Sequence, residues 1–225
     1  MTPPALRNLP DGFATKYLAV ASETLKDVAR LMLETGLRPE EVYRATVGNA
    51  ALDSGYLYIP FGKTKAARRR IPLTSPALAI IKRRVEAAKG VYLFPHRDDA
   101  NKPMLKVNNA HTTALSNSKL RALRLYDLRH TWATRAAEGG MDMPTLAALL
   151  GHSKLNMVMR YAHPQEQHQA DAVKRLEVFN AAKEIAAFEK QKEKSKSLVS
   201  ETVPTVFPTQ SEIAANSPQQ NSAIN

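Results

Sequence analysis

The chain reads as an α+β protein, mainly α with a small antiparallel β-sheet. Three observations predict this. Apolar residues recur at helical spacing between capping residues and glycines over much of the length. One pair of short apolar stretches, residues 55–61 and 68–73, has the composition of two strands joined by a turn. A hydrophobic content of 44% in 225 residues is enough to bury an ordinary core.

Taken in order, Ser22 can cap a helix whose Leu25, Val28, Ala29, Met32 and Leu33 share one face, and Gly36 ends it. Pro39 at a first helical position, with Glu40 and Glu41 in the first turn, starts the next helix, so Arg38 is held in a short loop between two helix ends. In the hairpin, Pro60 and Pro72 lack the N–H a central strand needs and imply edge or terminal positions. Lys63 and Lys65 then sit near its tip. Ser75 as cap and Pro76 in the first turn begin a helix that buries Leu78, Ile81, Val85 and Ala88 and closes at Gly90.

Residues 92–103 read as a short strand and a loop, and a polar helix is expected from about Asn108 to Leu123. The next helix starts near Asp127, turns Leu128, Trp132 and Ala136 inward and stops at Gly139 and Gly140. Another begins at Pro144, packs Leu146, Leu149 and Leu150, and stops at Gly151. His152 is therefore the first residue past a helix C-terminus, and Ser153 can cap a following turn that carries Met157, Val158 and, near its end, Tyr161. After Pro164 a helix with Val173, Leu176, Phe179, Ile185 and Phe188 should run to about Lys190. Residues 191–225, rich in Ser, Thr, Pro, Gln and Asn, bury too little apolar area to offset ordering entropy and are expected to be a disordered tail.

Charge narrows the partner. Against 21 acidic residues stand 32 Lys and Arg, a formal +11, the footprint of a phosphate-rich partner such as nucleic acid or an anionic membrane surface. The basic residues cluster at Lys63 to Arg70, at Lys82 to Arg84 and from Lys119 to Arg135. No run approaches eighteen apolar residues, so nothing is expected to span a membrane. The start, MTPPALRNLPDG, has two proline turns and no apolar signal core, so a cytoplasmic protein is expected. Absence of cysteine excludes disulfides, thiolate nucleophiles and cysteine-based zinc sites. Any nucleophile must be oxygen or nitrogen. Gly62-Lys63-Thr64 is not a phosphate-binding loop of the Walker type, because Leu57 stands where its first glycine is required. His163 and His168, five apart, share a helix face poorly and make a poor metal pair.

An oxygen nucleophile aimed at phosphorus needs cations around the non-bridging oxygens and a proton donor for the leaving oxygen. Arginines suit the first task because they bind phosphate bidentately and stay charged; a lysine can lose a proton and suits the second. A tyrosine, with a free pKa of about 10, attacks only where cations stabilise its phenolate. Taken singly, Tyr161 reads as a packing residue, His152 as a surface histidine and Arg38 as a helix-end partner of Glu41.

The segments TGLRPEEV at 35–42, GKTKAARRRIPL at 62–73, LYDLRHTWAT at 125–134 and LLGHSKLNMVMRYAH at 149–163 resemble, in order and spacing, the boxes of the tyrosine recombinases, the phage integrase family. The resemblance covers about residues 13–180 and implies that family's catalytic-domain fold. It implies catalytic arginines at Arg38 and Arg129, with Glu41 supporting the loop. Lys63, with Lys65 as rival, resembles the hairpin lysine that protonates the departing 5′ oxygen. His152 looks like the histidine after the Leu-Gly pair, and Tyr161, nine residues on, like the nucleophile. The chain departs from the family at Tyr126, where the pattern His-x-x-Arg usually has its histidine. His130 is not expected to substitute, since one helical residue turns a side chain by about 100°.

The implied activity is that of a site-specific DNA recombinase: Tyr161 attacks one strand to give a 3′-phosphotyrosyl link and a free 5′-hydroxyl, and a second 5′-hydroxyl reverses the step. The link conserves bond energy, so neither cofactor nor metal is implied. The implied partners are double-stranded DNA and, during synapsis, three further copies in a homo-tetramer, with no membrane. The expected organisation is an N-terminal arm at 1–12, a catalytic domain at 13–190 and the tail at 191–225, without the family's N-terminal core-binding domain. Two alternatives share these residues: a topoisomerase-like enzyme that reseals the same strand, and a non-catalytic DNA-binding remnant of a mobile element.

Overall fold

A computed structural model describes residue 9, residues 12–162 and residues 166–201, the side chains of 166–168 and 194–201 excepted. Most of the expected N-terminal arm, His163, Pro164 and tail residues 202–225 lie outside the described residues. By internal contacts the chain divides into two units, residues 1–169 and 170–225.

The first unit is built around helix α2 (Glu23–Thr35), preceded by α1 (Phe13–Val20) and followed by the short α3 (Pro39–Tyr43). Leu25, Val28 and Met32 on α2 are fully buried, each contributing about 1.5–3 kcal/mol from removal of apolar surface. Against α2 pack α4 (Ser75–Glu86) and α6 (Asp127–Glu138), while α1 meets α5 (Asn108–Asn117). A three-stranded antiparallel sheet, β1 (Ala50–Ala51), β2 (Tyr56–Ile59) and β3 (Arg69–Pro72), runs in the order β1-β2-β3, with Leu57 opposite Ile71 and Ile59 opposite Arg69. β3 is an edge strand and Pro72 its last residue, as a missing N–H requires. A second apolar cluster joins Ala133 of α6, Leu146 and Leu150 of α7 (Met143–Leu150), Val158 between two single-turn 3₁₀ helices, Leu155–Met157 and Met159–Tyr161, and Tyr161 at the end of the second.

The α+β class and the order of the elements agree with the sequence; several boundaries do not. The cap of α4 is Thr74, whose hydroxyl accepts from the Ala77 N–H at 3.4 Å, and Ser75 is already helical. Ser22 stands at the N-cap of α2 without a side-chain capping bond, and Lys154, not Ser153, precedes the first 3₁₀ turn. α5 stops at Asn117 rather than near Leu123 because Lys119 takes a left-handed conformation, φ 55°. The expected strand near Tyr92 is a single bridge to Thr46. β1, two residues long, has too little pattern to be read. In the second basic cluster, Arg83 and Arg84 both bind the buried Asp27 of α2 at 2.6 Å and thereby fasten α4 to α2.

Helix α8 (Glu166–Glu201) passes Lys190, where the sequence placed its end, so part of the expected disordered tail is helical. Its Val173, Leu176, Phe179, Ile185 and Phe188 are each more than half exposed. Among the described residues no helix is long and apolar enough to cross a membrane.

Candidate active site

Arg38 is the N-cap of α3, and Pro39 after it holds the backbone extended, φ −74° and ψ 151°. Glu41 reaches back: the Arg38 N–H donates to Oε2 at 2.8 Å and its Nη1 to Oε1 at 2.7 Å. The expected support of the loop by Glu41 is present. From β3, Arg69 grips the same carboxylate with two prongs, Nη1 to Oε1 at 2.8 Å and Nη2 to Oε2 at 3.0 Å. Its Nε donates to the Leu149 carbonyl at 2.6 Å, near the C-terminus of α7. From α6, Arg129 donates to the Gly36 carbonyl at 2.7 Å and the Leu150 carbonyl at 2.5 Å, and its Nη1 lies 3.8 Å from Glu41 Oε2. Two helix C-termini, rich in unpaired carbonyls, are thus capped by buried cations.

Three guanidinium groups around one carboxylate leave an excess of positive charge. Burial pushes the Glu41 carboxyl up, but the hydrogen bonds and charge of Arg69, with those of Arg38, outweigh it and hold the group below the ordinary range. Arg129 is 1% exposed. Burial, opposed by Tyr126 and Glu41 and assisted by Arg38 and Arg69, lowers its pKa to about 10, which leaves it charged at neutral pH. Arg38, with 29% of its side chain exposed, is the more open of the two expected catalytic arginines.

Glycines make the closeness possible. Gly36 ends α2 at φ 66°, and a Cβ there would fall 2.3 Å from the Trp132 ring. Gly151 ends α7 at φ 66°, and a Cβ there would meet Arg69 Nη1 at 2.8 Å. Trp132 is half-buried and donates its indole N–H to the Glu34 carbonyl at 3.1 Å, as well as packing on the core.

The turn after Gly151 brings His152 to the arginines, its Nε2 3.3 Å from Arg129 Nη2 and its Nδ1 3.3 Å from the Met157 sulfur. A guanidinium can only donate, so Nε2 is the acceptor and Nδ1 carries the proton. Burial first, then Arg129, Arg38, Arg160 and Arg69, lowers the His152 pKa to about 4. The imidazole is neutral at physiological pH.

Tyr161 is 4% exposed within the second apolar cluster. Its hydroxyl lies 2.6 Å from His130 Nδ1. Burial raises the phenol pKa, and Arg160 and Arg129 offset this only in part, so the group rests as a neutral phenol. Tyr126 precedes α6 with its ring edge against His130, centroids 5.1 Å apart, and 5.9 Å from the Arg129 guanidinium. Tyr126 is therefore beside the site without touching the Tyr161 hydroxyl by any hydrogen bond among the described residues.

Lys63 and Lys65 lie in the exposed connection between β2 and β3, which contains a 3₁₀ turn at Lys65–Ala67. The Ala67 carbonyl of that turn accepts from Arg69 Nη1 at 2.9 Å and ties the connection to the arginine cluster, while the exposure of Lys63 and Lys65 does not distinguish the two.

Two residues of the site escaped sequence reasoning. In the sequence Arg69 reads as one of a basic cluster, yet alternation along β3 puts it on the same inward face as Ile71, a signal the pattern carries. Helical period gives His130 no place beside Arg129, but Tyr161 returns on a different element and meets it.

The comparisons agree with this architecture. The sequence profile of the phage integrase family matches residues 12–168. An integrase of Salmonella phage P22 is 23% identical over 193 residues, 80% of this chain and 50% of the relative. Tyrosine recombinase XerA of Pyrococcus furiosus is 28% identical over 152 residues, 66% of this chain and 53% of the relative. The chain thus spans about half the length of these relatives. In fold it is similar to the Tn1549 transposon integrase in complex with circular intermediate DNA, TM-score 0.64 at 20% identity, over 78% of this chain and 68% of that one. It is also similar to the catalytic domain of bacteriophage HP1 integrase, TM-score 0.54 at 20% identity, over 74% and 93%. With four boxes in order, a profile match over most of its length and the fold of a tyrosine recombinase catalytic domain, this chain belongs to the phage integrase family.

Proposed function

We propose that the chain is the catalytic part of a site-specific DNA recombinase that cleaves and rejoins strands through a 3′-phosphotyrosyl intermediate on Tyr161. The observation that carries this reading is the convergence on Glu41 of Arg38 and Arg69, with Arg129 beside them and in contact with His152. A cluster with more cations than anions, fixed before substrate arrives, is suited to a phosphodiester whose negative charge grows during displacement.

Each group then has a task. Arg38, partly open, receives a non-bridging oxygen; Arg129, held by two carbonyls, sets the charge behind it and orients His152 as a neutral imidazole whose Nδ1–H can leave the Met157 sulfur to donate to the phosphate. Tyr161 Oη attacks phosphorus, the bond from phosphorus to the 5′ oxygen breaks, and Lys63 or Lys65 gives that oxygen a proton as the loop closes on DNA. The incoming 5′-hydroxyl reverses each transfer. Tyr126 lines the site beside His130 in place of the family's usual histidine.

The test is a nicked duplex from DNA flanking the gene, on which cleavage traps the product. Wild-type protein forms a covalent adduct and Tyr161→Phe forms none. No adduct with either protein favours the non-catalytic remnant, and relaxation of supercoiled plasmid without strand exchange favours the topoisomerase-like reading.

We further propose that the working assembly is a homo-tetramer on two duplexes, because the exposed apolar residues of α8 suit it to helix association. Cutting the chain after Pro164 should then reduce synapsis more than cleavage; equal loss of both removes α8 from that role.

A further inference from the structure

We propose that His130 is the base that takes the Tyr161 proton during cleavage and returns it during rejoining. This rests on the reading of Tyr161 as the nucleophile, and it assigns proton handling to a residue outside the family's His-x-x-Arg position, which Tyr126 occupies in this chain.

The geometry carries the assignment. Among the described residues, His130 Nδ1 is the side-chain atom hydrogen-bonded to the Tyr161 hydroxyl, at 2.6 Å, within the reach proton transfer requires. The two rings are tilted by 41° with centroids 6.0 Å apart, so the contact is made through the nitrogen rather than by stacking. Tyr126 also packs against His130, the two rings at 68° with centroids 5.1 Å apart, which restrains the imidazole. Tyr126 makes ring contacts with His130 and Arg129, and His152 is already engaged with Arg129 and Met157. The basic nitrogen that faces the nucleophile is that of His130.

The charged and titratable groups around the imidazole support this state. Burial lowers the pKa of His130; Asp127 opposes, while Arg124, Arg160 and Arg129 push in the same direction as burial. The ring is neutral at physiological pH, and in the tautomer with the proton on Nε2 it accepts from Tyr161 at Nδ1. As the bond from Oη to phosphorus forms, the phenol proton moves to Nδ1 and the electrons of the breaking bond leave on the 5′ oxygen. In rejoining, the imidazolium proton returns to Oη as tyrosine departs.

Two measurements on the full chain test the proposal. Without DNA, the histidine signals are titrated by NMR in wild type and Tyr161→Phe. A phenol that donates to the neutral ring favours neutrality, so its loss should move the His130 titration to higher pH. An unmoved titration overturns the contact. With the nicked duplex, single-turnover cleavage is followed from pH 5 to 9 in wild type, His130→Ala and His130→Asn. Asparagine places a hydrogen-bonding atom near Nδ1 and cannot accept the proton. Loss of a general base costs about 10²- to 10⁴-fold, so both variants should be slower by that factor and lose the rise of rate with pH that wild type shows as His130 deprotonates. A His130→Asn protein with wild-type rate and profile overturns the base role. A wild-type protein without adduct, beside a shifted His130 titration in Tyr161→Phe, overturns the cleavage reading and with it the base role, while leaving the contact standing.

Discussion

The arginine centre and the lysine loop would serve one phosphate, yet they are built in opposite ways. Around Glu41, three guanidinium groups from α3, β3 and α6 are held by a carboxylate and by carbonyls at the ends of α2 and α7. Between β2 and β3, the side chains of Lys63 and Lys65 are exposed, and the connection that carries them is tied to the centre by its backbone, through the Ala67 carbonyl on Arg69. Charges aimed at negative charge that grows in the transition state gain from being fixed in advance, since no reorganisation is then needed. A proton donor to a leaving group needs only to arrive when that group departs. The contrast predicts that the centre governs stability as well as activity, whereas the loop governs activity alone.

The largest effect should come from Glu41→Ala. It would leave Arg69 buried without its anion, and breaking such a pair costs about 3–5 kcal/mol. Urea unfolding measures this, and a loss under about 1 kcal/mol would mean that the carbonyls alone satisfy the cations.

A smaller effect is expected from pH. His152 has an ordinary pKa of 6.5 unfolded and about 4 folded. The unfolded chain therefore binds this proton first as pH falls. The stability tied to the neutral imidazole is fully present above about 6.5 and declines as pH falls toward about 4. His152→Gln should flatten that part of the pH profile of the midpoint; an identical profile in both proteins would show that the imidazole does not contribute to it.

The smallest change in stability belongs to the loop. Lys63→Ala and Lys65→Ala should each stay within about 0.5 kcal/mol of wild type, while one of them slows cleavage. Replacing the bridging 5′ oxygen of the nicked duplex by sulfur, which leaves without a proton, should restore that variant and so identify the acid. Loss of stability in the slow variant would instead mean that the lysine side chain itself helps to hold the centre.

Much of this was legible in the residues. The αL glycines at 36 and 151, Pro39 after Arg38 and the apolar face of α2 all act locally, through backbone sterics and helical period, and the elements follow from them. Where local signals were weak the reading failed, as in the two-residue β1 and the end of α5, and local capping choices at Thr74 and Ser75 differed by one residue.

By itself the sequence determined the α+β class, the order of the helices around one hairpin, the expectation of a phosphate-rich partner and the four boxes that mark the family. Only the tertiary structure decided that Arg69 is a buried partner of Glu41, that Arg83 and Arg84 fasten a helix, and that His130 holds the Tyr161 hydroxyl. The physical reason is range. Period, caps and turns act over a few neighbouring residues. The contacts that set charge and proton position join residues 28, 56 and 31 apart in the chain, and they exist only once the core has packed.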